Sequence, residues 1–215
     1  MHDVDQQLMA AARALVPGLP DHTVWTTQPP GHRKAVLFTS INLTEDARRR
    51  TFHPVPEAYY RPDDTDLLLT LPGGIPVPMA NLTPAQQSTA RRQAAGAVHI
   101  DTTQGKPGTV TRLAVKPATV HLALVEGRAN AATLGRVTSY APFCTRALLT
   151  RVRPSTNFLI EAGFYGVGVA LQTPEGIEVL VKPVPWVLRR HSPAGWCFVE
   201  HAYLAATLVP KRADP

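Results

Sequence analysis

The residues of this chain with the chemistry to act as ligands or catalysts fall in a few short runs. "HSPAGWCFVEH" gathers His191, Cys197, Glu200 and His201. Imidazole, thiolate and carboxylate are all zinc ligands, but this spacing matches no finger or ribbon. "HID" sets His99 two residues before Asp101, so that a carboxylate could orient a base beside a nucleophile. No such nucleophile is evident: G-x-S-x-G is absent, and Cys144 stands in an apolar stretch that favours an inert thiol. "GKPGT", 105–109, lacks both the glycine spacing and the Lys-Ser/Thr of a phosphate loop.

Carboxylates offer a second chemistry. "RPDDTD" carries Asp63, Asp64 and Asp66, and the later "EVLVK" carries Glu178 and Lys182. Together they resemble the Asp…Glu-x-Lys arrangement of restriction-type nucleases. That resemblance implies carboxylates holding Mg²⁺ and a lysine assisting. Here the glutamate and lysine are four apart instead of two, and both spacings put the pair on one face of a strand.

A third possibility is electrostatic. The formal charge of +6 is unevenly spread. Residues 102–160 hold 8 Lys/Arg against one acid, Glu126, whereas 1–101 nets −1 and 161–215 nets zero. A concentrated cationic segment is the footprint expected of a surface that meets phosphate. Its DNA-contacting candidates are Arg128, Arg136, Thr145, Arg146, Thr150, Arg151 and Arg153. Arginines outnumber lysines 17 to 5, as in a GC-rich bacterial genome. Codon bias explains that ratio but not the near absence of carboxylates from 102 to 160. Trp25, Phe52, Tyr59 and Tyr60 occur near Arg48, Arg49, Arg50 and Arg61, neighbours suited to stacking single-stranded bases.

Elements must position these groups. "MHDVDQQLMAAARALVPG" has Val4, Leu8, Ala11, Ala12 and Leu15 at helical spacing and ends at Pro17-Gly18. "TVWTTQ" and "KAVLFTSINL" read as strands around the turn "PPGH", and "LTEDARRRTF" as a short helix. "HPVPEAYYRPDDTD" reads as loop, and "LLLTLPGGIPVPMA" as two short strands around Gly73-Gly74. "LTPAQQSTARRQAAG" has a helix signature: Thr83 as cap, Pro84 at the first position and Gly96 past the end. "AVHIDTTQGKPGTVTRLAV" suggests a hairpin with a Gly-Lys-Pro-Gly tip. "PATVHLALVEGR" fits strand and helix periods equally. "FYGVGVALQTPEGIEVLVKPVPW" reads as a hairpin, and "WCFVEHAYLAATLV" as a helix or buried strand.

The stretch 129–153 reads as two helices about the turn "SYAP". Phe143, Ala147, Leu148 and Val152 lie on the apolar face of the second, with Thr145, Arg146, Thr150 and Arg153 away from it. Helix, turn, basic helix, "EAGF" and hairpin resemble winged-helix DNA-binding domains over about 117–183. The resemblance implies Arg146, Thr150 and Arg153 at a DNA groove and a wing tip at Thr173–Gly176 beside the flanking backbone. Pro154 departs from the pattern by ending that helix early, and Glu175 puts an acid at the wing tip.

The 21 prolines argue against a bundle of long helices, and 44% hydrophobic residues suffice for a core. Cys144 and Cys197 form no disulfide framework. No run is long and apolar enough to span a bilayer, and Asp3 and Asp5 stand where a signal peptide would be basic. The expectation is an α+β, cytoplasmic protein with a mixed α/β domain at 1–105 and a winged-helix-like domain at 106–215 ending in a hairpin wing. Its expected partner is double-stranded DNA, with single-stranded DNA second, and it could form a homodimer. No cofactor and no membrane partner are expected. A metal-dependent nuclease and a non-enzymatic interaction module rank behind DNA binding.

Overall fold

The computed structural model describes residues 2–27, 35–52, 61–92, 96–103, 108–188 and 190–208. The expected turn "PPGH", the loop "HPVPEAYY" with Tyr59 and Tyr60, and residues 105–107 of the "GKPG" tip lie outside them. In chain order the elements are α1 (His2–Leu15), β1 (Val24–Thr27), β2 (Val36–Ile41), α2 (Leu43–Phe52), α3 (Pro62–Thr70), β3 (Pro76–Pro78), a 3-10 turn (Met79–Asn81), α4 (Pro84–Arg92), β4 (Val98–Asp101) and β5 (Thr109–Arg112). There follow β6 (Ala118–Glu126), α5 (Ala131–Thr138), β7 (Thr145–Thr150), α6 (Thr156–Phe164), β8 (Gly168–Thr173), β9 (Gly176–Val181) and α7 (Pro193–Leu208). The class is α+β, with two sheets among the described residues.

Where the sequence suggested one cut near residue 105, the organisation is nested. One unit comprises 1–40 and 120–188, the other 41–119 and 189–215. The reason is pairing: β1 and β2 join a sheet whose other strands come from the second half of the chain.

The first unit is built on a six-stranded sheet, order β1-β2-β6-β7-β8-β9. β1 and β2 are antiparallel, with Val24 opposite Thr39. β6, β7 and β8 run parallel, and β9 returns antiparallel to β8. The parallel strands are joined through α5 and α6, the β-α-β connection that parallel pairing requires. Leu8, Ala11, Ala12 and Leu15 of α1 form one buried cluster with Val36, Phe38, Leu122, Leu124, Ala147, Leu149 and Ala170. The expected amphipathic helix and the β8–β9 hairpin are therefore present.

The basic helix expected over 143–153 is not. Residues 145–150 form β7, paired on both sides within the sheet, with Ala147 and Leu148 fully buried. "TRALLT" has good helix formers, yet a strand enclosed by parallel neighbours needs a continuous apolar run, and tertiary burial outweighs local propensity. Over 117–183, the expected helix-turn-helix and wing are replaced by strand, helix, strand, helix and hairpin. The ambiguous "PATVHLALVEGR" is likewise a strand, β6.

The second unit holds a three-stranded antiparallel sheet, order β3-β5-β4, with α2, α3, α4 and α7. α2 matches the expected "LTEDARRRTF", and α7 settles the last segment as helix. "PDDTDLLLT", divided between loop and strand in the sequence reading, is α3: Pro62 starts it, Asp63 and Asp64 occupy its first turn, and Leu67 and Leu68 are buried.

α2 and α7 are joined by a buried ionic network. Arg49 donates through Nη1 and Nη2 to both Glu200 carboxylate oxygens at 2.7 and 2.8 Å, and through Nε to Glu45 at 2.8 Å. Arg48 also donates to Glu45, and the Trp196 indole N–H reaches Glu200 at 2.7 Å. Glu45, Arg49 and Glu200 are each less than 5% exposed. Such charges persist in a dry environment only when fully hydrogen-bonded to one another.

Candidate nucleic-acid interface

Within the second unit, 62–112 forms an ordered series: helix α3, edge strand β3, a 3-10 turn, helix α4 and hairpin β4–β5. Prolines 76 and 78 lack amide donors and sit in an edge strand, where a missing ladder bond is tolerated. β3 pairs with β5, so the hairpin folds back onto the strand preceding α4. Leu67 of α3 and Leu71 just after it, Met79 of the turn and Leu82 just after it, Ala90 of α4 and Val110 of β5 close one apolar core.

α4 starts as its sequence dictates. The Gln86 amide N–H approaches Thr83 Oγ1 at 3.3 Å, and the Thr83 N–H donates to Gln86 Oε1 at 3.0 Å, a reciprocal capping box. Beyond its carboxyl end, Gly96 adopts φ +94°, where a Cβ would lie 2.5 Å from the Phe52 ring. Thr89 and Ala90 of α4 face the core. Ala85, Ser88, Arg91 and Arg92 are exposed, a stripe at helical spacing. Arg92 is held by Asp64 at 3.1 Å, and Arg91 Nη2 reaches only as far as Gln87 Oε1, at 3.5 Å.

In the hairpin, His99 pairs with Thr111 and Asp101 with Thr109. The Asp101 carboxylate accepts from the Thr103 backbone N–H at 2.8 Å and from its hydroxyl at 2.7 Å. These bonds, the backbone one foremost, hold its pKa below the ordinary value. Asp101 therefore braces the hairpin end, and the "HID" pair gains no nucleophile.

The candidates read from the basic segment lie in the first unit, in several settings. Thr145 and Thr150 are buried in β7; Thr145 Oγ1 accepts from the Trp186 N–H at 3.0 Å, and Thr150 Oγ1 donates to the Val152 carbonyl at 3.1 Å. Arg146 is partly buried in the same strand and donates to the Tyr165 carbonyl at 2.5 Å, and desolvation pulls its pKa down. Arg136 donates to Thr133 Oγ1 at 2.9 Å, and Arg153 pairs with Glu178 at 2.5 Å. Arg128 and Arg151 line one cleft.

The nuclease-like candidates fall in separate units. Asp63, Asp64 and Asp66 belong to α3 of the second unit, whereas Glu178 lies on β9 of the first. Glu200 is committed to Arg49 and Trp196, while the His201 ring nitrogen Nδ1 bonds the Cys197 carbonyl at 2.7 Å. Among the described residues no group of three or more His, Cys, Asp or Glu could hold a metal ion. No helix among them is long and apolar enough to cross a membrane.

One polar pair has no counterpart in the sequence reading: Ser40 of β2 and His121 of β6 share a hydrogen bond. Burial, with His22 nearby, lowers the His121 pKa. The two residues are 81 positions apart, so only the strand order brings them together. No protein-family model, no curated protein and no solved structure matches the chain.

Proposed function

We propose that this is a DNA-binding protein that docks through α4 and the β4–β5 hairpin of its second unit. The observation carrying this reading is the topology of 62–112: helix, strand, turn, capped helix and hairpin, with strand order β3-β5-β4. That order of elements is similar to a winged helix and supports the reading, in a different part of the chain from the one its sequence suggested. In that arrangement the second helix of the turn enters the major groove, and its amino-terminal half meets base edges. Ser88 and the nearby Gln86 offer hydroxyl and amide groups there, and Arg91 offers a guanidinium for phosphate or guanine.

The charge of this surface is modest. Among the described residues Arg91 and Arg92 are the exposed cations of α4, and Asp64 shares Arg92. Neutralising two phosphates gives a log–log salt slope of about −2. Fluorescence anisotropy of the full chain with duplex DNA over a salt series tests this. Arg91→Glu should weaken binding about tenfold or more, and Ser88→Asp should do the same by like-charge repulsion, while Arg146→Ala should leave it within twofold. Loss of binding in Arg146→Ala with no change in Arg91→Glu would return the interface to the 102–160 segment.

A further inference from the structure

The three parallel strands of the first unit end together, and their carboxyl ends border an open cleft of about 440 Å³. Glu126 closes β6, Leu149 and Arg151 flank the end of β7, and Gln172 is near the end of β8, with Arg128 and Val152 also on the wall. In α/β sheets, ligands bind in the crevice outside the carboxyl ends of parallel strands. The volume falls within the range of small-molecule sites, about 300–1,000 Å³.

The side chains are arranged and not merely present. Arg151 Nε donates to Gln172 Oε1 at 3.2 Å, and Gln172 Nε2 donates to Gln7 of α1 at 2.5 Å. That relay fixes the guanidinium plane through Nε and leaves its two terminal nitrogens outside the bond. The Gly127 N–H bonds the Leu149 carbonyl at 3.0 Å, tying the backbone before Arg128 to β7. Two guanidinium groups on one cleft repel each other. Among the described residues no ion pair joins either of them to Glu126 or another carboxylate. Arg153, three residues along the chain from Thr150, is instead paired with Glu178 and does not line the cleft.

We propose that this cleft binds a small phosphate monoester, of sugar-phosphate to mononucleotide size. Arg128 and Arg151 take the phosphate oxygens, as guanidinium forks do. Glu126 accepts a hydrogen bond from a hydroxyl or amino group of the same molecule. Leu149 and Val152 cover its carbon skeleton. Inorganic phosphate alone would satisfy the arginines yet leave Glu126 as a nearby repelling charge, so the organic part contributes to selection.

Isothermal titration calorimetry of the full chain with ribose 5-phosphate, adenosine 5′-monophosphate and inorganic phosphate tests the proposal. One of the two esters should bind saturably and more tightly than inorganic phosphate. Arg128→Gln and Arg151→Gln, both at exposed side chains, should each weaken it about tenfold or more, and Gln172→Leu less, by freeing Arg151. Arg153→Gln should stay within twofold. Glu126→Gln should tighten inorganic phosphate and narrow the preference for the ester. No saturable binding of either ester at low-millimolar concentration would overturn the proposal. So would an equal loss in Arg153→Gln, or cleft variants that change only duplex-DNA binding. This site and the DNA-binding reading involve different units, so either can fail alone.

Discussion

In the first unit the buried cluster beneath α1 is apolar throughout, from Leu8 to Ala170, whereas the second unit encloses Glu45, Arg49 and Glu200 with the Trp196 indole. The apolar sheet can accept any well-shaped aliphatic side chain at moderate cost. The ionic clamp between α2 and α7 accepts one partner set, because a lone buried charge has nothing to replace water. The contrast shows two ways of fixing elements distant in sequence: area alone, or a geometry that only complementary groups satisfy.

The largest expected effect breaks the clamp. Glu200→Ala leaves the Arg49 guanidinium without its bidentate partner and should cost about 3–5 kcal/mol. Urea unfolding reads the loss, and hydrogen exchange should place the lost protection in α2 and α7. Unchanged protection there would mean that packing around Trp196 and around Tyr203 of α7, whose ring centroid lies 5.1 Å from the Arg49 guanidinium, holds the helices and not the ion pairs. In the apolar sheet, Leu148→Ala should cost about 2–5 kcal/mol, with exchange rising across β6, β7 and β8. A cost under about 1 kcal/mol would show that the sheet collapses onto the cavity and is less tightly packed than its burial suggests.

Cys144 sharpens the comparison through pH. Burial pushes its thiol from 9.0 up to about 12. The folded state therefore keeps the proton that the unfolded chain gives up first. Its stabilising contribution is complete below pH 9.0 and is lost as pH rises from there toward about 12. The loss is about 1.4 kcal/mol per pH unit within that window. Denaturation midpoints of the wild type should fall more steeply above pH 9 than those of Cys144→Ala, and native Cys144 should resist alkylation at neutral pH. Parallel slopes would show that the thiol is not titrating in isolation from water.

The smallest effect concerns the capping box. Thr83→Ala should cost about 1 kcal/mol, seen as faster exchange in the first turn of α4 and weaker DNA binding. Loss of the cap without any change in binding would separate the helix start from the interface.

How much of this was legible depended on whether the signal was local. Thr83-Pro84-Ala85-Gln86 specifies a helix start by itself, and the hairpins announce themselves through alternation and turn glycines. "TRALLT" carries no period, because a strand covered on both faces has no polar side to mark it. "PDDTDLLLT" was obscured by its acids: aspartates crowd loops, yet they also suit a helix's first turn after proline. Arg128 and Arg151 were identified as functional candidates, but their shared cleft was not, since only parallel strand order sets β6 beside β7. Arg146 was read on a helix for the same reason: β7 makes it a strand residue, and its guanidinium bonds the Tyr165 carbonyl.

The nested order of the chain has a consequence for its birth on the ribosome. β1 and β2 are synthesised first, but β6, the next strand of their sheet, follows only after residues 42–117. Until then the outer edge of β2 has no partner, and a nascent chain in that state is open to pairing with a neighbour on the same polysome. α7 emerges later still, so Arg49 lacks the Glu200 carboxylate until near the end of synthesis. Slow codons or chaperone engagement between residues 42 and 117 would therefore prolong an unpaired edge, and yield of folded protein should respond to translation speed in that interval more than in any other.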